Sequence, residues 1–211
     1  MYVYDGQHRL AALMLLFGDS DYYVWCEIHN FDESHNTAYA EEARYFAEQD
    51  DNKTVVGAID KFNALVEAKD EKAIRVSSLL LSCGLRLARN KNDRSDCCVA
   101  CIRKVMSIYD DKGISEEDFL AIFNLVAVTW RGAVESLDAR IIDSVALFHK
   151  TYRGMYDPAR FAKALRTVLP KEIIAIGNSD LSAKGTLRFA KVVWQKYNKG
   201  KREHLPYLYK G

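Results

Sequence analysis

The sequence predicts an α+β chain, predominantly helical, in which a small strand–turn–helix–strand unit precedes a multi-helix bundle. Three observations carry this. β-Formers at Tyr2-Val3-Tyr4 and Tyr22–Ile28 flank a helical period from Gln7 to Phe17. After Phe31 the apolar spacing is helical almost throughout. Only three prolines interrupt 211 residues, as a mostly helical chain requires. The division expected is residues 1–32 for the α/β unit and 33–211 for a helical domain with a basic C-terminal helix and tail.

Leu10, Leu13, Met14 and Phe17 share one face of the first helix, and Gly18 is its natural stop. The aromatic and β-branched run Tyr22–Ile28 reads as a strand, paired parallel to Tyr2-Val3-Tyr4 by a right-handed crossover. Helices then follow at about 35–49, 54–68, 70–82, 96–109, 115–130, 137–153, 158–168 and 182–198. Thr54 is placed to cap the second of these. Ser115 with Asp118 resembles a capping box, and Asp157-Pro158 is a cap followed by proline at the first helical position. Gly84 and Gly113 are expected to close helices, and Leu85-Arg86-Leu87 reads as a short extended piece. Phe119, Ile122, Phe123, Val126 and Trp130 form one apolar stripe. Leu137, Ile141, Ile142, Val145, Phe148 and Tyr152 form another. Both are read as core, because an amphipathic helix must bury its stripe.

Composition bounds the partners. Apolar residues make up 49% and charged residues 28%, with a net charge of +1, so no global field favours nucleic acid or a membrane surface. No apolar run is long enough to span a bilayer, and the start lacks a signal-peptide pattern, so a cytoplasmic protein is expected. Five cysteines, an odd number, read as reduced thiols. Cys97, Cys98 and Cys101 lack the second ligand pair of a structural zinc site, so they are taken as helix cysteines and no metal site is assigned.

Two stretches carry candidate chemistry. Asp5-Gly6-Gln7-His8-Arg9 places a glycine at a strand-to-helix turn. The first amides of a helix lack intrahelical partners and favour an anion. Arg9 adds a forked cationic donor, His8 a neutral-pH donor or acceptor, and Asp5 a cap or a metal-facing carboxylate. No Lys-Ser/Thr pair follows the glycine, so this is not a P-loop. The tail from Lys184 to Gly211 has eight Lys or Arg and a single acid, Glu203. Lys184, Arg188 and Lys191 are predicted to share a helical face, with Lys199, Lys201 and Arg202 in the loop beyond. Such a stripe tracks nucleic-acid phosphates, or is a solvated face balancing the acidic segment Asp32–Asp51.

The run Val3-Tyr4-Asp5-Gly6-Gln7-His8-Arg9-Leu10-Ala11-Ala12 resembles the DGQHR signature of the ParB/sulfiredoxin-like superfamily. A looser likeness to phage- and plasmid-type DGQHR proteins continues through Ala43-Arg44-Tyr45-Phe46, Lys53-Thr54-Val55, Asp60-Lys61-Phe62, Cys83-Gly84-Leu85 and Lys196–Gly200. The resemblance implies a turn that grips nucleotide phosphates, with CTP or ATP and Mg as the ligands. Gly6 and Arg9 match the glycine and final arginine of the ParB-type turn, while His8 stands where that turn has its first arginine. Gln7 stands where sulfiredoxins carry their catalytic cysteine, which argues against sulfinic-acid reduction. The superfamily domain has strands and a helix before this turn. Their absence here implies a shortened domain, completed by another copy or by a partner.

Three functions fit. The first is a ParB-like phosphate- or nucleotide-binding module of a mobile element that meets DNA through its basic tail. The second is a nuclease or nucleotide hydrolase using the DGQHR turn. The third is a non-catalytic helical interaction protein with a vestigial turn.

Overall fold

The computed structural model describes residues 7–18, 23–26, 40, 43–44, 57–90, 92–200 and 202–209. It is mostly helical, with one two-stranded parallel sheet among the described residues. The helices are α1 (Gln7–Phe17), α2 (Ala58–Glu67), α3 (Glu71–Ser82), α4 (Ile102–Tyr109), α5 (Glu116–Trp130), α6 (Ala139–Tyr152), α7 (Pro158–Leu165), α8 (Pro170–Ser179) and α9 (Leu187–Asn198). Strands β1 (Arg86–Leu87) and β2 (Cys98–Val99) lie between α3 and α4, and a 3-10 turn, Val134–Leu137, leads into α6.

Several ends follow local rules. α1 stops at Gly18, which takes a left-handed φ of 58° while its N–H reaches Met14 O at 2.9 Å. Ser115 and Asp118 make both halves of the capping box on α5. Asp157 caps α7 through the Ala159 N–H, with Pro158 at the first turn. Gly84 closes α3 with φ 72°. Gly113 does not close a helix: it donates to Asp111 in a turn after α4, with no positive φ.

Both predicted stripes are core. Phe119, Ile122, Phe123 and Val126 on α5, and Ile141, Ile142, Val145, Phe148 and Tyr152 on α6, are fully buried. α6 packs between α5 and α9, and α9 packs on α7 and α8. One continuous core runs from Phe62 to Tyr209.

Four expectations are corrected. Residues 23–26 form no strand, and Tyr23 and Trp25 are fully exposed. β-Propensity makes a strand only where the segment pairs with another, and among the described residues nothing pairs with 23–26. The expected partner strand, residues 2–4, lies outside the described residues, as do the Thr54 cap and most of helix 35–49, of which residues 40, 43 and 44 are helical. The helix expected from residue 96 starts at Ile102 instead. The Cys97 N–H donates to Gly132 O at 2.7 Å with φ 59°, and Cys98 and Val99 pair with Arg86 and Leu87. A tertiary ladder overrides the helical spacing there. The last helix starts at Leu187 rather than 182, and α8 occupies a stretch for which no helix was predicted. Its readable signals are Pro170 at the first turn and Glu172 after it.

Gly177 explains why α8 hides in the sequence. A mid-helix glycine weakens a helix by about 1 kcal/mol relative to alanine. Here a Cβ would fall well inside the van der Waals envelope of the Phe189 ring, so glycine is what lets α8 approach α9. Gly177→Ala is expected to destabilise the fold by about 1–3 kcal/mol, because overpacking outweighs the propensity gain. Urea unfolding checks the sign, and a stabilised variant would show that the two helices separate freely.

Candidate functional site

The predicted anion turn falls where the description of the chain begins. Asp5 and Gly6 lie outside the described residues. The backbone of Gln7, His8 and Arg9 forms the first turn of α1, so the helix starts directly after Gly6. Amides of a first helical turn have no i−4 carbonyl within the helix.

The basic tail is rearranged relative to expectation. Because α9 begins at Leu187, Lys184 sits in the preceding turn beside Gly185, and no stripe of three cations forms on one helical face. Lys191 is committed within the fold: its Nζ lies 2.9 Å from Asp180 Oδ2 and 2.8 Å from Ser182 Oγ. Hydrogen bonds from Ser182 and Lys191 pull the Asp180 carboxyl down to about 2. Arg188 lies 4.7 Å over the ring of Phe189. Lys184, Lys199 and Arg202 are exposed, and Lys201 lies outside the described residues.

The C-terminal segment is a docked strap rather than a free loop. Leu205 and Tyr209 are buried. Asn198 holds Leu205 from both sides, accepting its N–H at 2.8 Å and donating to its carbonyl at 3.3 Å. Tyr209 Oη donates to Ala190 O at 3.2 Å, and Tyr152 Oη accepts from the Leu208 N–H at 3.2 Å. Alternation of Leu205, Tyr207 and Tyr209 was the signal available in the sequence.

Sequence reasoning did not single out the buried polar cluster at the α5–α6 contact. Asp118 Oδ1 lies 2.9 Å from His149 Nε2, and His149 Nδ1 lies 2.7 Å from Tyr156 Oη. Asp118 Oδ2 accepts from the Ser115 N–H at 3.0 Å, from Ser115 Oγ at 3.1 Å and from Arg153. Burial alone would raise this carboxyl. The backbone N–H of Ser115, His149, the Ser115 hydroxyl and the Arg153 charge together hold it at about 2 instead. Both Asp118 oxygens and both His149 nitrogens are engaged within the protein, so the cluster staples α5 to α6.

The cysteines are spread over different local structures. Cys98 is in β2, Cys97 is in the turn before it and Cys101 is the N-cap of α4. Burial pushes the Cys101 thiol up to about 11 and raises Cys83 and Cys98. Such thiols are poor nucleophiles at neutral pH. Among the described residues, no group of three or more His, Cys, Asp or Glu is placed to hold a metal ion. Nor is any described helix long and apolar enough to cross a membrane.

A family profile described as "Family of unknown function (DUF6551)" matches residues 1–208. The chain belongs to this family. The match includes the Asp5–Arg9 segment, the bundle and nearly all of the docked strap of this DUF6551 protein. No curated protein and no solved structure matches it.

Proposed function

We propose that this DUF6551 protein is a ParB-like phosphate-binding module whose Asp5–Arg9 turn holds the phosphates of a nucleotide, CTP or ATP, with Mg as the accompanying ion. The observation that carries this reading is the start of α1 at Gln7. It sets a helix N-terminus directly behind Asp5-Gly6, where backbone N–H groups and the positive end of the helix dipole favour an anion. Gly6 permits a close backbone approach, Arg9 supplies a bidentate cation, and His8 a further donor.

Titration calorimetry with CTP and ATP, with and without Mg²⁺, tests this. Binding is expected in the wild type, with a loss of about tenfold or more in Arg9→Ala, the weight of one charge-assisted contact. Wild-type affinity in Arg9→Ala, or no nucleotide binding at all, would sink the proposal. Nucleotide turnover lost in Asp5→Ala would convert it into the hydrolase reading. A nucleotide-blind chain that still captures a protein partner would convert it into the interaction-protein reading.

An association with DNA is proposed through the exposed cations Lys184, Lys199 and Arg202, since Lys191 and Arg188 are engaged within the fold. Reversing all three charges is expected to weaken binding to duplex DNA and flatten its salt dependence. An unchanged salt slope would remove this surface from the proposal.

A further inference from the structure

The described part of the molecule contains a half-open hollow of about 690 Å³, and no described residue of the C-terminal tail is among those that line it. It lies beyond the carboxyl ends of β1 and β2, on the Asn90 and Ala100 side. Ile59, from the first turn of α2, and Ile102, from the start of α4, give it an apolar wall, with Ala139, the first residue of α6, completing it. Asn90, Asn92 and Arg103 supply the polar rim.

The rim is held in place. Asp93 accepts from Arg86 Nη1 and Nη2 at 2.6 and 2.8 Å and from the Arg89 N–H at 3.0 Å. Asn63 Nδ2 donates to Arg89 O at 2.9 Å, tying the same loop to α2. Arg89 and Asp93, which flank Asn90 and Asn92 in sequence, are therefore fastened to α2 and β1. On the opposite side Lys104 is directed to Asp143 at 3.0 Å. Arg103 is exposed, and its guanidinium has no ion-pair partner among the described residues.

The size, the apolar walls and the few convergent polar groups are those of a small-molecule site, for which volumes of roughly 300–1,000 Å³ are typical. Asn90 Oδ1 already accepts from the Asn92 N–H at 2.9 Å, so Asn90 turns its amide donors, and Asn92 its whole side-chain amide, to a heteroatom-bearing ring. Arg103 offers a fork suited to phosphate. Asp60, on the α2 side of the cavity, disfavours a phosphate at that end and so sets the direction of entry. We propose that this cavity is a second ligand site, taking a small organic phosphate with a flat ring, of nucleoside-monophosphate size. Its ring lies between Ile59, Ile102 and Ala139, and its phosphate lies at Arg103. The site is independent of the Asp5–Arg9 turn.

AMP, adenosine and inorganic phosphate are the probes, titrated into the ¹⁵N-labelled full chain and into its Arg9→Ala variant. AMP is expected to shift the amides of Ile59, Asn90, Ile102 and Arg103 equally in both backgrounds, which separates this site from the turn. Arg103→Glu is expected to weaken AMP by about tenfold or more, as loss of a charge-assisted contact does. Ala139→Phe fills the cavity from its wall and is expected to abolish the shifts while the remaining spectrum is preserved. Adenosine is expected to bind less tightly than AMP, and inorganic phosphate more weakly still. The proposal is overturned if AMP shifts none of these amides, if Arg103→Glu binds AMP as the wild type does, if adenosine matches AMP, or if folded Ala139→Phe retains the shifts. Loss of the shifts in Arg9→Ala would assign AMP to the turn and overturn it as well.

Discussion

Phe148→Ala is expected to lower the unfolding free energy by about 3–5 kcal/mol, the range found when a large core side chain is deleted. Phe148 is fully buried on α6. Its ring centroid lies 5.1 Å from that of Tyr152, 5.2 Å from those of Tyr156 and Phe161, and 5.5 Å from that of Tyr197. Those rings belong to α6, the turn after it, α7 and α9, so a single deletion unseats three helices at once. The cavity left behind cannot collapse easily, because three of the four neighbouring rings are also held by their hydroxyls: Tyr152 by Leu208 of the strap, Tyr156 by His149 and Tyr197 by the Asp157 N–H at 3.1 Å. Phe148→Leu should retain about half of the lost stability, since it refills much of the volume. Urea unfolding monitored by tryptophan fluorescence measures both. A loss under about 1 kcal/mol for the alanine variant would show that α7 and α9 do not depend on this contact.

Asp118→Asn is expected to cost about 2 kcal/mol near neutral pH and to flatten the acid limb of the stability profile. The sign follows from the direction of the shift. In the folded chain this carboxyl titrates at about 2. Unfolded, it titrates near the ordinary aspartate value of about 3.9. Its contribution is therefore complete above about pH 4 and is lost as the pH falls through about 2. The amide keeps the shape and one acceptor for His149. It turns a donor toward the Ser115 N–H and Arg153, which are themselves donors. Unfolding free energies measured from pH 7 down to pH 2 test this. Parallel acid limbs in wild type and variant would show that Asp118 is not held low by its partners.

Much of the bundle was legible because its determinants are local. The stripe Ile141, Ile142, Val145, Phe148 and Tyr152 can be read from 3.6-residue spacing, and the ends at Gly18, Ser115 and Asp157 follow from glycine and side-chain capping rules. The start of α1 at Gln7 was readable for the same reason, and with it the first turn on which the proposed phosphate site rests. What failed was set by distant partners. Cys98 and Val99 carry a helical spacing, yet they pair as a strand because Arg86 and Leu87 offer an edge and Gly132 O takes the Cys97 N–H. The tail was read only through its charges, as a cationic helical face and a loop beyond it, yet Asn198, Ala190 and Tyr152 hold its Leu205–Tyr209 end down through hydrogen bonds that charge counting does not reveal.

By itself, the sequence determined a predominantly helical chain, which faces of its helices are apolar and where a candidate anion turn begins. These follow from residue spacing and from the preferences of single residues. Only the tertiary structure decided that Lys191 is tied to Asp180 while Lys184 is exposed, and that Asp118 and His149 form a buried staple across 31 residues of chain. It alone gathered Ile59, Asn90, Arg103 and Ala139 around one cavity. Burial, ion pairing and enclosure depend on which segments meet in space, and no local pattern encodes that meeting.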